Sequence, residues 1–361
     1  MSATMRAAVF HARGDVRIEQ VARPEPGPGE VAVAVAFNGL CGSDLHEFQA
    51  GPLVIPTAPH PLTGAQLPVI LGHEFAGRVS AIGPGVTGVE PGDAVCVEPL
   101  HRCGVCSSCR RGLAHLCQQR AFHGLQSNGG GLSEVTVVPD RLVHRLPADL
   151  PLAMGALVEP MAVAHHAVAR ALEGAGPDPT VVVFGGGPIG VGVWFALRAR
   201  GVRRVSVVEP SAERRGHLAA LGADPVLDPA RVDVPALIQE ETSGAGADVV
   251  IDAAGVAAVV SAGLASLGPR GHLLSVGVYG GEARMIPNPL VGHEIRWSGS
   301  MAYTAEDFAA VIDQMATGAY DPHGWVTTIP FDALVEDGFE PMAAGTVSKV
   351  LVEVGGEEAG R

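Results

Sequence analysis

The sequence predicts a two-domain α/β protein, with a β-rich domain followed by a doubly wound parallel sheet. The first observation is the length of 361 residues, which is enough for about two domains. The second is a change of pattern near Ala162, where short strand-like runs give way to apolar strands alternating with helical segments. The third is a glycine-rich turn directly after one of those strands.

Strand patterns dominate the first part of the chain. Apolar residues alternate with small ones over residues 31–37, and further apolar runs follow at 75–82 and 94–97. Pro-Gly pairs separate these runs and mark turns. We therefore expect a compact, barrel-like β domain over residues 1–160.

The second part of the chain alternates strands with helices. The segments between the strands are rich in Ala, Leu and Arg and have a helical pattern. This alternation of strands and helices predicts a parallel, doubly wound sheet over residues 161–300. Residues 301–361 carry a helix pattern at 305–315 and a strand pattern at 349–354, which by pattern alone could join either domain. The six predicted strands of the sheet are residues 181–184, 205–208, 225–227, 249–251, 272–276 and 295–298.

Composition and charge exclude several classes of partner. The chain has 24 basic and 38 acidic side chains, a formal charge of −14, which repels nucleic acid and anionic lipid. Glycines and a proline interrupt the uncharged stretch at residues 179–197, so we expect no membrane span. No apolar leader is visible at the start, which predicts a cytoplasmic protein in which disulfides are rare.

The glycine-rich turn predicts a dinucleotide site. A strand ends at Phe184 and is followed by a segment that fits G-x-G-x-x-G. Such a turn lets the backbone approach a pyrophosphate, and the following helix supplies unpaired N–H groups. The candidate cofactor contacts here are Gly185, Gly187, Pro188, Ile189 and Gly190.

The next strand ends in an acidic residue that favours NAD. Glu209 lies nineteen residues after Gly190, where a carboxylate can accept hydrogen bonds from the adenosine ribose and would repel a 2′-phosphate. Arg214, a further candidate cofactor contact, and Arg215 lie close enough to leave NADP open. The alternative is that the turn is purely structural and Glu209 is a surface residue. The order and spacing of the strand, the helix and the acidic residue disfavour this alternative.

Four of the six cysteines form a compact C-x2-C-x2-C-x7-C pattern. Four thiolates close a tetrahedron around one Zn²⁺ and leave no open position, so the pattern predicts a structural zinc lobe at about residues 100–120. The expected cytoplasmic location disfavours disulfides, and the tight spacing disfavours free buried thiols. A DNA-binding finger is a further alternative, and the acidic charge of the chain disfavours it. The four candidate ligands are Cys103, Cys106, Cys109 and Cys117.

A second, dispersed set of residues could hold a catalytic zinc. It consists of Cys41, His73, Glu74 and Glu159. Three protein ligands and a water would leave a position for substrate. Spacing alone does not show that these residues meet, and singly each has an ordinary explanation as a core or surface residue.

These motifs resemble those of the zinc-containing medium-chain alcohol dehydrogenases. Gly72-His73-Glu74, followed by Gly77, Gly83 and Val86, is similar to the family's GHE-x2-G-x5-G-x2-V signature. The resemblance extends over nearly the whole chain and is strongest to the 2,3-butanediol dehydrogenase branch, close to sorbitol and threonine dehydrogenases. The segments that narrow it are residues 41–47, 60–64, 129–131 and 156–160.

The resemblance implies a GroES-like catalytic domain at residues 1–160, a Rossmann domain at 161–300, and a C-terminal segment, 301–361, that completes the catalytic domain. Cys41, His73 and Glu159 would bind the catalytic zinc, with Glu74 an inner-shell or exchanging ligand. The family's proton relay would place Ser43 next to the alcohol and His46 after it. The implied cofactors are one catalytic zinc, one structural zinc and NAD.

The expected reaction is reversible, NAD-linked oxidation of a secondary alcohol, most closely a small vicinal diol or acyloin such as 2,3-butanediol and acetoin. Glu47 and His165 are candidates to hold the second substrate oxygen, and His165 stands where the family usually has an aliphatic residue. Polyol, threonine and secondary-metabolite alcohols are alternative substrates.

Two other classes of protein remain as alternatives. A zinc-free quinone reductase would lack the cysteine and GHE ligands that this chain has, and an NAD-binding structural or regulatory protein would bind NAD without turnover. We also expect a homodimer or homotetramer, joined through an edge strand near residues 295–301.

Overall fold

The computed structural model describes residues 3–357. Short 3₁₀ and π segments supplement the helices and strands. The strands are β1 (Thr4–Ala12), β2 (Asp15–Ala22), β3 (Glu30–Leu40), β4 (Val69–Ile70), β5 (Glu74–Ile82), β6 (Ala94–Val97), β7 (Leu100–His101), β8 (Ala121–Phe122), β9 (Val135–Pro139), β10 (Val143–Arg145), β11 (Thr180–Phe184), β12 (Arg204–Val208), β13 (Val226–Leu227), β14 (Ala247–Asp252), β15 (Leu267–Ser275), β16 (Arg296–Gly299), β17 (Val326–Pro330) and β18 (Lys349–Glu353). The α-helices are α1 (Gly42–Ala50), α2 (Ser107–Arg110), α3 (Leu152–Gly155), α4 (Val158–Ala171), α5 (Pro188–Ala199), α6 (Ala212–Ala220), α7 (Val234–Glu241), α8 (Ala257–Ser266), α9 (Asn288–Gly292), α10 (Ala305–Ala316) and α11 (Glu340–Ala344).

The first of two compact units contains the predicted β-rich domain. Its largest sheet runs β10-β6-β5-β3-β18-β17, with β9 also paired to β3, and a second sheet runs β2-β1-β4. Strand β3 is buried along nearly its whole length and pairs antiparallel with β5. Side chains from both sheets share one apolar core, which includes Phe10, Val33, Leu71, Phe75 and Phe339. This arrangement agrees with the expected barrel-like domain.

Three stretches of the chain build this unit, namely residues 3–159, 304–317 and 326–357. Strand β18 belongs here because it pairs antiparallel with β3, and α10 because Phe308 packs on His144 at 4.7 Å. The sequence-based division treated 301–361 as one segment. In the structure, residues 318–325 group with the second unit, where the ring of Tyr320 packs 5.2 Å from Phe195.

The second unit contains the predicted doubly wound sheet. Six parallel strands run in the order β13-β12-β11-β14-β15-β16, so the chain starts in the middle, winds outward and then returns to the other side of β11. This is the Rossmann strand order, and its switch point lies between β11 and β14. Each of the six predicted strands overlaps an observed one.

No helix within residues 3–357 combines the length and apolar character that a membrane span requires. The expected cytoplasmic location stays a prediction.

Candidate functional site

The predicted dinucleotide turn connects β11 to α5. Gly185 has a φ of 105°, which a residue with a side chain rarely adopts. A Cβ at Gly190 would overlap the carbonyl oxygen of Gly185, so glycine is required for the helix to pack this closely. Helix α5 begins at Pro188, whose missing N–H costs nothing at a helix start. The backbone is therefore shaped for close approach of a phosphate.

Glu209 lies beside this turn. Its carboxylate is buried and accepts hydrogen bonds from the backbone N–H groups of Gly186 and Ser211, both at 2.7 Å. The two arginines that left NADP open differ in placement. Arg215 donates to the Glu209 carbonyl oxygen and pairs with Asp228 at 2.9 Å, whereas Arg214 is the nearest group to a Cβ built on Gly187, at 3.8 Å. Arg214 is therefore the cation beside the turn.

Strand pairing brings together three of the predicted catalytic metal ligands. Cys41 follows β3 and precedes α1. His73 immediately precedes β5, and Glu74 is its first residue. Because β3 pairs with β5, Gly39 lies opposite Glu74. One ligand atom from each of the three side chains lies within 4.8 Å of the others. Thiolate, imidazole and carboxylate are the donors that Zn²⁺ prefers, so the group fits zinc.

The fourth predicted ligand, Glu159, is not a member of this compact group. Within the described part of the chain, the cluster comprises Cys41, His73 and Glu74 and does not include Glu159. Glu159 is buried in the first turn of α4. Pairing of β3 with β5 assembles the other three residues, whereas Glu159 lies on α4. Coordination by Glu159 stays a prediction.

Asp44 orients the metal-site histidine, and sequence reasoning missed it. The fully buried carboxylate accepts a hydrogen bond from the Cys41 N–H at 3.0 Å and lies 3.4 Å from Nδ1 of His73. Burial lowers the pKa of His73, but the negative charge of Asp44 and the contacts of the ring with Asp44 and Cys41 outweigh it and raise that pKa well above its usual value. The available signal was an acid three residues after a ligand, at the start of a helix.

The predicted relay residues lie on one helix. The Ser43 hydroxyl is 3.1 Å from Nε2 of His73, which places it at the metal site. His46 is exposed and lies one helical turn further along α1, on the same face as Ser43. The structure thus puts the first residue at the site and the second toward solvent.

A buried lysine holds the Glu74 carboxylate, and no sequence motif indicated it. Lys349 on β18 is 1% exposed, donates to the Leu40 carbonyl oxygen at 2.9 Å and forms an ion pair with Glu74. Glu74 is equally buried. Pairing of β18 with β3 brings this lysine, from the end of the chain, to the metal site.

The two candidates for holding a second substrate oxygen are engaged elsewhere. The buried carboxylate of Glu47 accepts hydrogen bonds from the backbone N–H groups of Leu53 and Val54, at 2.9 and 2.6 Å, and so shapes the loop after α1. In the second unit, the Arg200 guanidinium lies 2.8 Å from Nε2 of His165. The Glu47 carboxylate thus serves the loop backbone, and contact of Glu47 or His165 with a substrate oxygen stays a prediction.

The four-cysteine lobe is assembled as its spacing predicts. Ligand atoms of Cys103, Cys106, Cys109 and Cys117 all lie within 4.8 Å of one another, and the structure records all four as free thiols. Backbone N–H groups from Cys109 and Gln118 lower the pKa of Cys106 to about 6. Burial raises the pKa of Cys109 to about 12, so the four thiols differ, but four sulfurs at this spacing fit one tetrahedral Zn²⁺. Cys96, by contrast, is buried in β6, and desolvation raises its pKa, as expected for an inert core thiol.

Two family descriptions match the chain. Residues 27–148 match the alcohol dehydrogenase GroES-like domain, and residues 188–317 match the zinc-binding dehydrogenase family. The first match contains the four cysteines of the lobe and the cluster of Cys41, His73 and Glu74, but not Glu159. The second match begins at the first residue of α5.

Relatives and solved structures match over nearly the full length. The chain is 40% identical to the (R,R)-butanediol dehydrogenase of Bacillus subtilis over 338 residues, covering 93% of this chain and 95% of the relative. It is 36% identical to the (R,R)-butanediol dehydrogenase of Neisseria gonorrhoeae over 354 residues, with 97% and 99% covered. The crystal structure of 2R,3R-butanediol dehydrogenase from Bacillus subtilis superposes with a TM-score of 0.90 at 38% identity, covering 97% and 99%.

Proposed function

Because the chain belongs to the zinc-binding, medium-chain alcohol dehydrogenase family, we propose that it interconverts a small vicinal diol and its acyloin, 2,3-butanediol and acetoin, with NAD. The relatives support this substrate class by their names. The observation that carries the proposal is the cluster of Cys41, His73 and Glu74 with the Ser43 hydroxyl beside it. A nucleotide-binding protein without turnover has no need of that cluster.

The residues around the cluster account for the proton chemistry of alcohol oxidation. Zinc supplies Lewis-acid polarisation of the substrate oxygen when bound. The Ser43 hydroxyl can accept the alcohol proton while it releases its own toward His46, one helical turn along α1, and the exposed His46 imidazole can pass that proton to solvent. The Asp44 carboxylate, 3.4 Å from Nδ1 of His73, favours the ring orientation that leaves Nε2 for the metal.

The decisive experiment measures NADH formation with each stereoisomer of 2,3-butanediol, before and after chelation, with zinc per chain determined alongside. We expect chelation to abolish activity and about two zinc ions per chain, from one open and one closed site. Activity with a polyol such as sorbitol, and none with butanediol, would retain the enzyme class and overturn the diol assignment. Failure to bind zinc or NAD would overturn the function itself.

Ser43→Ala is expected to lower kcat about 100-fold at unchanged zinc content, because the variant loses a group that transfers a proton in the transition state. Ser43→Thr keeps a hydroxyl and should retain more activity. Ser80→Ala removes a hydroxyl that bonds the Ala32 carbonyl in the same unit and should leave kcat unchanged. Turnover by Ser43→Ala at the parental rate would remove this serine from the mechanism.

Glu209→Ala is expected to raise the Kd of NAD roughly 10-fold or more, because the variant loses a charged hydrogen bond to the ribose. The ratio of the Kd of NADP to the Kd of NAD should fall, because no carboxylate then repels the 2′-phosphate. The variant also frees the N–H groups of Gly186 and Ser211. Glu209→Gln keeps an acceptor for those groups, so it separates the charge from the local structure. Equal binding of NAD and NADP by the parent would contradict this reading of Glu209.

We further propose a homodimer or homotetramer that pairs through β16. This strand ends the six-stranded sheet, so its outer backbone groups can pair with another chain. Apolar side chains near it are exposed, namely Val291, Trp297 and Met301. Light scattering after gel filtration tests the proposal, and a monomer at working concentration would overturn it.

A further inference from the structure

A buried carboxylate at the end of β14 is held by hydrogen bonds alone. Asp252 has no exposed surface. Oδ1 accepts from the backbone N–H groups of Ala254 and Gly255, both at 2.9 Å, and Oδ2 accepts from the Tyr279 hydroxyl. Within residues 3–357, the recorded donors to this carboxylate are two backbone N–H groups and one phenol, and none is a basic side chain. Each of these donors therefore matters, since a buried carboxylate that loses one is poorly solvated.

The backbone of Asp252 ties a second loop to the first. Its carbonyl oxygen accepts from the N–H groups of Val276 and Gly277, both at 2.9 Å. The two loops also touch directly, because a Cβ on Gly277 would overlap the backbone nitrogen of Gly255. Asp252 is thus a junction between the loops that follow β14 and β15.

A one-directional chain of hydrogen bonds leads to this junction from the sheet edge. The indole N–H of Trp297 on β16 donates to the Ser275 hydroxyl at 3.0 Å, and the Ser275 and Tyr279 hydroxyls are 3.3 Å apart. Burial, and then the bond to Asp252, raises the pKa of Tyr279 to about 12, so its hydroxyl keeps the proton that it donates. Ser275 must therefore donate to Tyr279, and every member of the chain has one consistent role.

The junction lies against the dinucleotide turn. Ala253 donates its N–H to the Phe184 carbonyl oxygen at 2.8 Å, and a Cβ on Gly185 would lie 3.0 Å from the backbone nitrogen of Ala254. The loop after β14 therefore borders the switch point between β11 and β14, where open α/β sheets bind the two halves of a dinucleotide.

We propose that Tyr279 and Ser275 are positioning residues for the cofactor: through Asp252 they hold the loops after β14 and β15 in the conformation that binds NAD. The inference rests on the proposed dinucleotide site. Affinity for NAD then depends on side chains outside the glycine-rich motif, in the hydrogen-bonded chain that connects Asp252 to β16. If the loops open, the fraction of binding-competent protein falls, and the apparent Kd rises in proportion.

The test compares the Kd of NAD, the KM of the alcohol, zinc content and thermal midpoint in single variants of the zinc-loaded enzyme. Tyr279→Phe is expected to raise the Kd of NAD about tenfold, with zinc content and the KM of the alcohol nearly unchanged. Ser275→Ala, which leaves the bond from Tyr279 to Asp252 in place, should raise that Kd less, about threefold. The Ser275 variant also provides a readout if Tyr279→Phe fails to fold.

Ser298→Ala is the matched control. It removes a 2.7 Å hydrogen bond between Ser298 on β16 and His272 on β15. Trp297 and Ser275 connect the same two strands, but the bond between Ser298 and His272 is not part of the chain that leads to Asp252. Its Kd for NAD should equal that of the parent. Lower thermal stability of Tyr279→Phe at unchanged Kd would overturn the positioning role, as would an equal loss of affinity in Ser298→Ala. A parent that binds no NAD would instead remove the dinucleotide site and this inference together.

Discussion

Replacing His73 with asparagine is expected to lower kcat for alcohol oxidation by more than about 1000-fold, because Lewis-acid stabilisation is worth several kcal/mol. The imidazole is buried between Asp44 and Ser43 and belongs to the three-residue cluster. The zinc content of the variant should fall from about two ions per chain to about one, since the cysteine lobe is untouched. Metal analysis and turnover are measured on the same preparation.

Asp44→Asn provides a graded comparison for this result. It weakens the contact to Nδ1 while all three metal donors remain, so we expect an intermediate loss of about 10–100-fold in activity or zinc affinity. Parental turnover and two bound zinc ions in His73→Asn would show that the metal binds elsewhere. Equal effects of the two variants would show that Asp44 does more than orient the ring.

Lys349→Met is expected to lower the free energy of unfolding by about 3–5 kcal/mol, because removing one partner leaves the other charge buried and unpaired. Both side chains of this ion pair are 1% exposed, so water cannot compensate for the loss. The Leu40 carbonyl oxygen also loses its donor from Lys349. Unfolding by denaturant, followed by tryptophan fluorescence, measures the change.

Neutralising both members of the pair tests the cause of that loss. The double variant Lys349→Met/Glu74→Gln buries no charge at this position, and we expect it to recover most of the lost stability. Glu74→Gln alone leaves the lysine charge unpaired and should be destabilising as well. A Lys349→Met protein as stable as the parent would show that bound zinc or a rearranged Glu74 replaces the lysine.

The features that the sequence predicted well are formed by residues close together along the chain. The strand, the glycine turn and the start of α5 are consecutive in the chain, so Gly185 and Gly190 could be assigned from spacing. The four cysteines lie within fifteen residues, and so their cluster needs little help from the rest of the fold. Alternating strands and helices likewise predicted the parallel sheet, and the observed strand order confirms it.

Side-chain partners were the part that local patterns did not reveal. Glu47 follows a recognisable motif, yet its carboxylate turns to the loop backbone. Lys349 belongs to no motif, and it reaches Glu74 only because β18 joins β3. Tyr279 looks like an ordinary loop residue until Asp252 is placed next to it.

The sequence by itself determined the two-domain α/β class, the glycine-rich turn and the compact cysteine cluster, and by resemblance it predicted the catalytic ligands. Only the tertiary structure decided that Cys41, His73 and Glu74 form one group, that Asp44 and Lys349 hold it, and that 318–325 joins the second unit. The physical reason is separation along the chain. Short-range geometry follows from backbone preferences, whereas contacts between distant residues depend on how strands pair and which polar groups must find partners once buried.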